Sequence, residues 1–238
     1  MVFIKKIIGC VLDAVFPNKC IGCDRIISKN ESLCEFCLEN LEKTNFDNRC
    51  KVCGNIKSDC KCKYHVYHFT AATAPFYNDG VSQKIMYAFK FNRKIHFAKF
   101  IAERMAISVK NDFYGMEFDC VVYVPLNLKR ELKRGYNQSR ELAKELSHIL
   151  NLPLVENALG CNEKRLPQNK TKGKERFENV KGMYYPNISL RGRRVLLVDD
   201  IKTTGATLDE CAKALFKAGA DDVYCVTGLI SKGKNKKR

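Results

Sequence analysis

Residues 195–215 read VLLVDDIKTTGATLDECAKAL, and this stretch decides the fold. Its apolar start has the length and composition of a buried strand, and it ends in two adjacent carboxylates, Asp199 and Asp200. A short run of hydroxyl-bearing residues with a glycine follows, and then apolar residues recur at helical spacing. We therefore predict a strand over 193–200 and a helix over 207–220.

The chain from residue 64 onward repeats this alternation of strands and helices. The patterns predict extended chain over 64–78, helices over 81–110 (in two pieces broken near Asn92) and 134–152, and strands over 120–125, 152–156 and 221–230. Strands that alternate with helices indicate an α/β fold with a parallel sheet and right-handed crossovers. The segment 162–182 shows no periodicity and is predicted to be a loop.

The formal net charge is +16 over 238 residues. Such an excess favours polyanionic partners, namely nucleic acid, phosphorylated ligands or anionic lipid, although a generally basic proteome would give the same composition. Two places concentrate the charge. The segment 162–182 holds seven Lys or Arg against three acids, and the tail 232–238, predicted to be disordered, is almost wholly basic.

The amino terminus, MVFIKKIIGCVLDAVFP, combines a basic start with a short apolar stretch that contains Asp13. It lacks a small-residue cleavage site, so we interpret it as an amphipathic helix ending before Pro17 and not as a signal peptide. No segment approaches the roughly 18 uninterrupted apolar residues of a membrane helix. We expect a cytoplasmic protein, with association at the inner face of the cytoplasmic membrane kept as an alternative.

Eight of the thirteen cysteines fall between residues 20 and 62, in three C-x-x-C pairs and one C-x-C pair. A C-x-x-C turn brings two thiolates to one tetrahedral zinc ion, and two such turns complete a four-cysteine site. The alternative interpretation is a secreted protein held together by disulfides, and it is less favoured because the sequence shows no signal peptide. The ligands predicted for one or two structural Zn²⁺ ions are Cys20, Cys23, Cys34, Cys37, Cys50, Cys53, Cys60 and Cys62.

Pairing in sequence order is the simplest arrangement of these ligands, with residues 20–37 holding one ion and residues 50–62 the other. An interleaved arrangement stays open, as does a single occupied site, because C-x-C strains the usual turn. His65 and His68 follow the last pair and are taken as ordinary strand or linker residues. The module is too short and polar to bury much core, so zinc should supply most of its folding energy.

The acid pair and the hydroxyl-rich loop together suggest a phosphorylated ribose as ligand. Ligands of parallel sheets bind beyond the carboxyl ends of the strands, where Asp199 and Asp200 are expected to lie. Adjacent carboxylates repel, and ribose hydroxyls or Mg²⁺ relieve the repulsion. The loop 203–207 opens a helix, whose free N–H groups suit a phosphate. The competing interpretation is a capping box over 207–210 behind an acid pair of the kind found in receiver and hydrolase folds.

The stretch VLLVDDIKTTGAT resembles the signature with which type I phosphoribosyltransferases bind 5-phosphoribosyl 1-pyrophosphate. Over residues 10–230 the chain resembles the ComF family, late-competence proteins with an amino-terminal cysteine-rich module. The resemblance includes VPLNLKRELKRGYNQSRELAKEL at 124–146, RLPQNKTKGKERFENV at 165–180 and YAFKFNRK at 87–94. It implies a zinc module over 1–66, a phosphoribosyltransferase-like domain over 67–231 and a basic tail over 232–238.

The resemblance also implies roles for individual residues. Asp199 and Asp200 would hold the ribose hydroxyls, directly or through Mg²⁺. The 5-phosphate would be cradled by Thr203, Thr204, Gly205, Ala206 and Thr207. The turn after strand 120–124 would approach the pyrophosphate, and a mobile loop would cover the site. The candidates for this turn and this loop are Leu126, Asn127, Lys129, Arg130, Arg134, Lys164, Arg165 and Arg176.

The sequence departs from active transferases at one position, because several of them carry a general-base carboxylate in the phosphate loop where this chain has Thr203. Whether the chain is an enzyme therefore stays open. The ComF resemblance implies a protein of natural transformation that binds single-stranded DNA. The alternatives are a transferase that moves ribosyl 5-phosphate to a nitrogen nucleophile, and a scaffold whose zinc module docks a helicase-like or other transformation protein.

Overall fold

The computed structural model describes residues 17–28, 31–41, 43–44, 47–60, 62–91, 95–162 and 173–232. The predicted helix before Pro17 lies outside these residues, as do Lys164, Arg165 and the basic tail beyond Lys232. Within the described residues no helix is long and apolar enough to cross a membrane.

A parallel sheet forms the centre of the main domain, as the sequence predicts. The strands within the described residues are β1 (Ala71–Thr73), β2 (Phe76–Tyr77), β3 (Cys120–Tyr123), β4 (Leu159–Cys161), β5 (Tyr184–Pro186), β6 (Arg194–Lys202) and β7 (Asp222–Ile230). The main sheet has the order β1-β7-β6-β3, β2 also pairs with β7, and every pairing is parallel. The two central strands are therefore β6 and β7.

Helices cover both faces of this sheet. The helices within the described residues are α1 (Glu35–Glu39), α2 (Gly80–Phe91), α3 (Phe97–Asp112), α4 (Leu128–Arg134), α5 (Gln138–Leu150), α6 (Gly173–Val180) and α7 (Ala206–Lys217), of which α2, α3, α5 and α7 pack on the sheet. Alternate residues of β6 point to opposite faces. Leu196 and Val198 pack with α2, α3 and α5, whereas Val195 and Leu197 pack with α7. This two-sided burial explains why the strand is apolar from Val195 to Val198.

Five local predictions differ from the structure. Strand β6 continues past the acid pair to Lys202, and residues 152–156 contribute only a single bridge, between Leu154 and Val121. The helix predicted over 134–152 begins at Gln138, where Asn137 caps α5. Arg134 instead ends a separate helix, α4, which Gly135 terminates with φ +84°. The basic segment is not all loop, because α6 lies within it, and strand 120–125 ends at Tyr123.

The cysteine-rich module lies against the edge of the sheet. The backbone N–H of Ala72 donates to the Val52 carbonyl at 2.8 Å, and that of Thr44 donates to the Pro75 carbonyl at 3.0 Å. Gly54 adopts φ +71°, and a Cβ there would lie 2.4 Å from the Ala72 carbonyl oxygen, so only glycine allows this approach. The module is thus joined to the strand edge by backbone contacts.

Candidate functional site

The acid pair lies in the second half of β6, near the carboxyl edge of the sheet. Asp199 is opposite Thr227 of β7, and both Asp199 and Asp200 remain partly accessible. The Ser139 hydroxyl donates to Asp199 Oδ1 at 2.8 Å, and the Asp200 N–H donates to the same oxygen at 2.8 Å. Lys90 Nζ lies 2.6 Å from Asp200 Oδ2. One acid is therefore held by neutral donors and the other by a cation.

These surroundings act unequally on the two carboxyl groups. Burial raises the pKa of Asp199 from its ordinary value of 3.8 to about 7, and the adjacent charge of Asp200 adds to the rise. The Ser139 hydroxyl, the Asp200 N–H and the charge of Lys90 act in the opposite direction. A cation such as Mg²⁺ at the pair would favour the ionised form of Asp199 and relieve the repulsion between the two carboxylates.

We expect the stability of Asp199→Asn relative to wild type to rise by about 2–3 kcal/mol between pH 5 and pH 8. Asp199 has a folded pKa of about 7 and an unfolded pKa of about 3.9, so between these values the folded protein holds a proton that the unfolded chain has lost. Wild type therefore loses stability as pH rises through this window, and the uncharged amide does not. Urea unfolding of both proteins at pH 5 and pH 8 measures their free energies of unfolding. A difference between variant and wild type that is the same at both pH values would contradict the prediction.

The hydroxyl-rich loop remains open to solvent at the start of α7. Thr203 is exposed, and Thr204 and Thr207 are partly so. Gly205 adopts φ +85° as the residue before the helix, and a Cβ there would lie 3.0 Å from the Tyr67 ring. The linker before β1 also restrains the loop, since the Tyr67 hydroxyl donates to the Thr204 carbonyl at 2.9 Å. The first N–H groups of α7 therefore begin beside accessible hydroxyls.

The capping box considered for 207–210 does not form. The residue before α7 is Gly205, with no side-chain cap, and Glu210 instead accepts a hydrogen bond from the Gly182 N–H at 2.6 Å. That contact ties the end of the basic segment to α7. From the same segment, Arg176 Nη1 donates to the Thr203 hydroxyl at 2.8 Å. Arg176 therefore lies at the hydroxyl-rich loop, where the resemblance places a covering residue.

The turn after β3 presents its predicted residues in different ways. Asn127 is buried and its side chain accepts from the Lys129 N–H at 3.0 Å, so it caps α4. Lys129 and Arg130 are exposed, and Leu126 is partly buried. Arg134 donates to the Gln138 side chain at 2.7 Å. The exposed cations of this turn are thus Lys129 and Arg130, while Asn127 positions the helix that carries them.

Two residues of the site are missing from the sequence-based predictions. Lys90 and Ser139 belong to the quoted blocks YAFKFNRK and RGYNQSRE, but nothing in their local pattern marks them as partners of the acids. They lie 110 and 60 residues from the acids that they contact. Only the packing of α2 and α5 against β6 brings them to the site.

The eight cysteines form two separate clusters, paired in sequence order. One contains Cys20, Cys23, Cys34 and Cys37, and the other contains Cys50, Cys53, Cys60 and Cys62. Within each cluster all Sγ atoms lie within 4.8 Å of one another. The Cys23–Cys34 pair is 3.6 Å apart and the Cys50–Cys62 pair is 3.7 Å apart. Tetrahedral zinc with bonds of about 2.3 Å requires roughly 3.8 Å between thiolates, so both clusters fit the ion.

The two histidines that follow the clusters have a different partner. His68 Nδ1 lies 3.1 Å from Asp209 Oδ1, and His65 Nε2 lies 3.7 Å from Asp209 Oδ2. Asp209 is buried in the first turn of α7. The histidines therefore connect the linker to α7, in agreement with their interpretation as linker residues.

Comparison with known proteins assigns both parts of the chain. Residues 11–66 match the double zinc ribbon domain, and residues 132–238 match the phosphoribosyl transferase domain. Among solved structures, glutamine phosphoribosylpyrophosphate amidotransferase from B. subtilis aligns with a TM-score of 0.39 at 20% identity, covering 56% of this chain and 26% of that one. The fold class follows from the sheet and the domain match, since this score is too low to add to them.

The chain is thus a double zinc ribbon joined to a phosphoribosyltransferase-type domain. Competence protein F of Haemophilus influenzae is 31% identical over 147 residues, covering 59% of this chain and 64% of that protein. DNA utilization protein YhgH of Escherichia coli K12 is 29% identical, covering 60% and 65%. Competence protein ComFC of Bacillus subtilis is 27% identical over 205 residues, covering 82% of each. The chain is a homologue of these proteins, which confirms the resemblance to the ComF family, and its matches span just under two thirds of the first two.

Proposed function

We propose that this protein acts in natural transformation, where it binds single-stranded DNA in the cytoplasm and carries a site for 5-phosphoribosyl 1-pyrophosphate. Two of the relatives are named competence proteins and a third is named a DNA utilization protein. The domain match and the acid pair support the ligand, and the net charge of +16 supports a polyanion.

One observation carries the ligand proposal, namely the position of two partly accessible carboxylates directly before an accessible hydroxyl-rich loop at a helix start. In the proposed complex Asp199 and Asp200 hold the ribose hydroxyls, directly or through Mg²⁺. The loop 203–207 holds the 5-phosphate, with Arg176 beside it. Arg130 of the turn after β3 contributes charge toward the pyrophosphate.

Lys90 is the counter-ion of the acid pair before the ligand binds in this proposal. Its ammonium group lies 2.6 Å from Asp200, and both side chains are 14% exposed. A ligand that arrives with Mg²⁺ brings its own cation to the acids, and Lys90 is then free to turn toward the anionic ligand. Lys90 therefore neutralises Asp200 before the ligand binds and part of the ligand's negative charge afterwards.

We propose binding without transfer as the principal activity of the site. Residues 203–207 contain no carboxylate, and the Thr203 hydroxyl accepts a hydrogen bond from Arg176. A hydroxyl is a far weaker base than a carboxylate at neutral pH. Transfer of ribosyl 5-phosphate to a nitrogen nucleophile is the alternative, and it requires a base from elsewhere.

Calorimetric titration with 5-phosphoribosyl 1-pyrophosphate and Mg²⁺, repeated in the presence of a single-stranded oligonucleotide, tests both parts of the proposal. We expect saturable binding of each ligand, and DNA binding that weakens steeply with salt. Release of pyrophosphate on addition of a particular amine or base would establish the transferase alternative. Absence of DNA binding at low salt would overturn the DNA role and favour a scaffold for another transformation protein.

A further inference from the structure

Helix α2 presents two aromatic side chains to solvent. Tyr87 and Phe91 are 61% and 54% exposed, and their ring centroids lie 4.8 Å apart with a tilt of 43°. Phe89, between them in sequence, is fully buried and packs against Tyr136. The core therefore accounts for one of these three aromatic residues, and the other two form an exposed pair on neighbouring turns.

Cations lie on both sides of this pair. The Arg134 guanidinium carbon is 5.6 Å from the centroid of the Phe91 ring. On the other side, Tyr87 lines a surface cleft together with Lys19 and Lys84, beside the first cysteine cluster. Lys84 Nζ also donates to the Gly22 carbonyl at 2.6 Å, which fixes its position. The aromatic pair thus lies between two cationic regions.

We propose that bases of a single strand stack on Tyr87 and Phe91, while the flanking phosphates contact Lys19, Lys84 and Arg134. This inference rests on the proposed DNA binding and assigns it a surface, which we call the aromatic platform. Exposed aromatic rings flanked by cations suit single-stranded nucleic acid, because every base has a stacking face and every linkage a negative charge. In a duplex the base faces are stacked on one another, so they are not available to stack on these two rings.

The absence of tryptophan from the chain allows a direct optical test. Phe91→Trp places a single fluorophore in the platform and keeps an aromatic face. Tyr114→Trp is the matched control, since Tyr114 is 88% exposed and follows α3 near the amino edge of the sheet. We expect an oligo-dT probe to quench Phe91→Trp emission saturably and to leave Tyr114→Trp emission unchanged. Binding without quenching at position 91, or with equal quenching at both positions, would overturn the assignment.

An affinity measurement separates the platform from general electrostatics. Tyr87→Ala/Phe91→Ala is expected to weaken oligo-dT binding by about tenfold or more, whereas Tyr114→Ala leaves it within about twofold. An abasic strand of equal length should bind wild type and the double variant alike, because only its phosphates remain. A double variant that binds oligo-dT as tightly as wild type would overturn the platform and leave DNA binding intact. Wild type that fails to bind any single strand would instead overturn the proposed function.

Discussion

Asp199→Asn/Asp200→Asn is expected to weaken binding of Mg²⁺ and 5-phosphoribosyl 1-pyrophosphate by at least about 100-fold. The two side chains are the only carboxylates between residues 194 and 208, directly before the proposed phosphate loop. Amides of the same shape can still accept hydrogen bonds, but they carry no charge to attract a divalent cation. They also remove the negative charge that Lys90 faces at 2.6 Å, which leaves an uncompensated cation where Mg²⁺ would bind.

A second pair of neighbouring acids offers a matched control. Asp221 and Asp222 stand at the opposite edge of the sheet, where Asp222 pairs with Arg194 at 3.1 Å. Asp221→Asn/Asp222→Asn makes the same chemical change far from the loop 203–207, and we expect ligand binding to be unchanged. Calorimetry on both variants, with thermal unfolding to verify the fold, compares them. Equal losses in the two variants would indicate a general effect of the substitutions and contradict a role for the first pair.

The sheet and the acid pair could be predicted because each depends on a local pattern. The VLLV run, the carboxylates and the hydroxyl-rich loop are consecutive, so the sequence places them in one strand–loop–helix unit. The continuation of β6 through Ile201 and Lys202 was not predicted, because the charged residues end the apolar run. There the strand is maintained by its pairing with Leu229 and Ile230 of β7, a contact that no local pattern shows.

The features that escaped prediction depend on tertiary contacts or on very short elements. Strands β4 and β5 have three residues each, are separated by 22 residues of chain, and within the part of the chain that the structure describes pair with no other strand. Lys90 belongs to an aromatic and basic run in which the sequence cannot separate core from surface. The structure does so by helix geometry, since Phe89 turns inward, Lys90 toward Asp200, and Tyr87 and Phe91 outward.

The two zinc clusters are expected to support different ligands, because they contact different elements. The second cluster adjoins Asn55, whose side chain accepts from Lys202 Nζ at 2.9 Å. Lys202 is almost fully buried at the end of β6, and its ammonium group lies 5.9 Å from the ring of Tyr67. Tyr67 in turn bonds the Thr204 carbonyl. The first cluster instead contacts α2, where Lys84 bonds the Gly22 carbonyl.

Cys62→Ser should therefore weaken binding of 5-phosphoribosyl 1-pyrophosphate by about tenfold or more. Loss of the second zinc ion releases the loop that carries Asn55, the acceptor of the buried Lys202 ammonium. Cys23→Ser should have little effect on that ligand but weaken oligo-dT binding, because it loosens the support of Lys84 and Tyr87. Each variant loses one zinc ion, which metal analysis verifies, so the two serve as controls for each other. Calorimetry with both ligands decides the matter. If either substitution weakens the binding of both ligands equally, the two clusters act as one structural unit, and the prediction that they support different ligands is wrong.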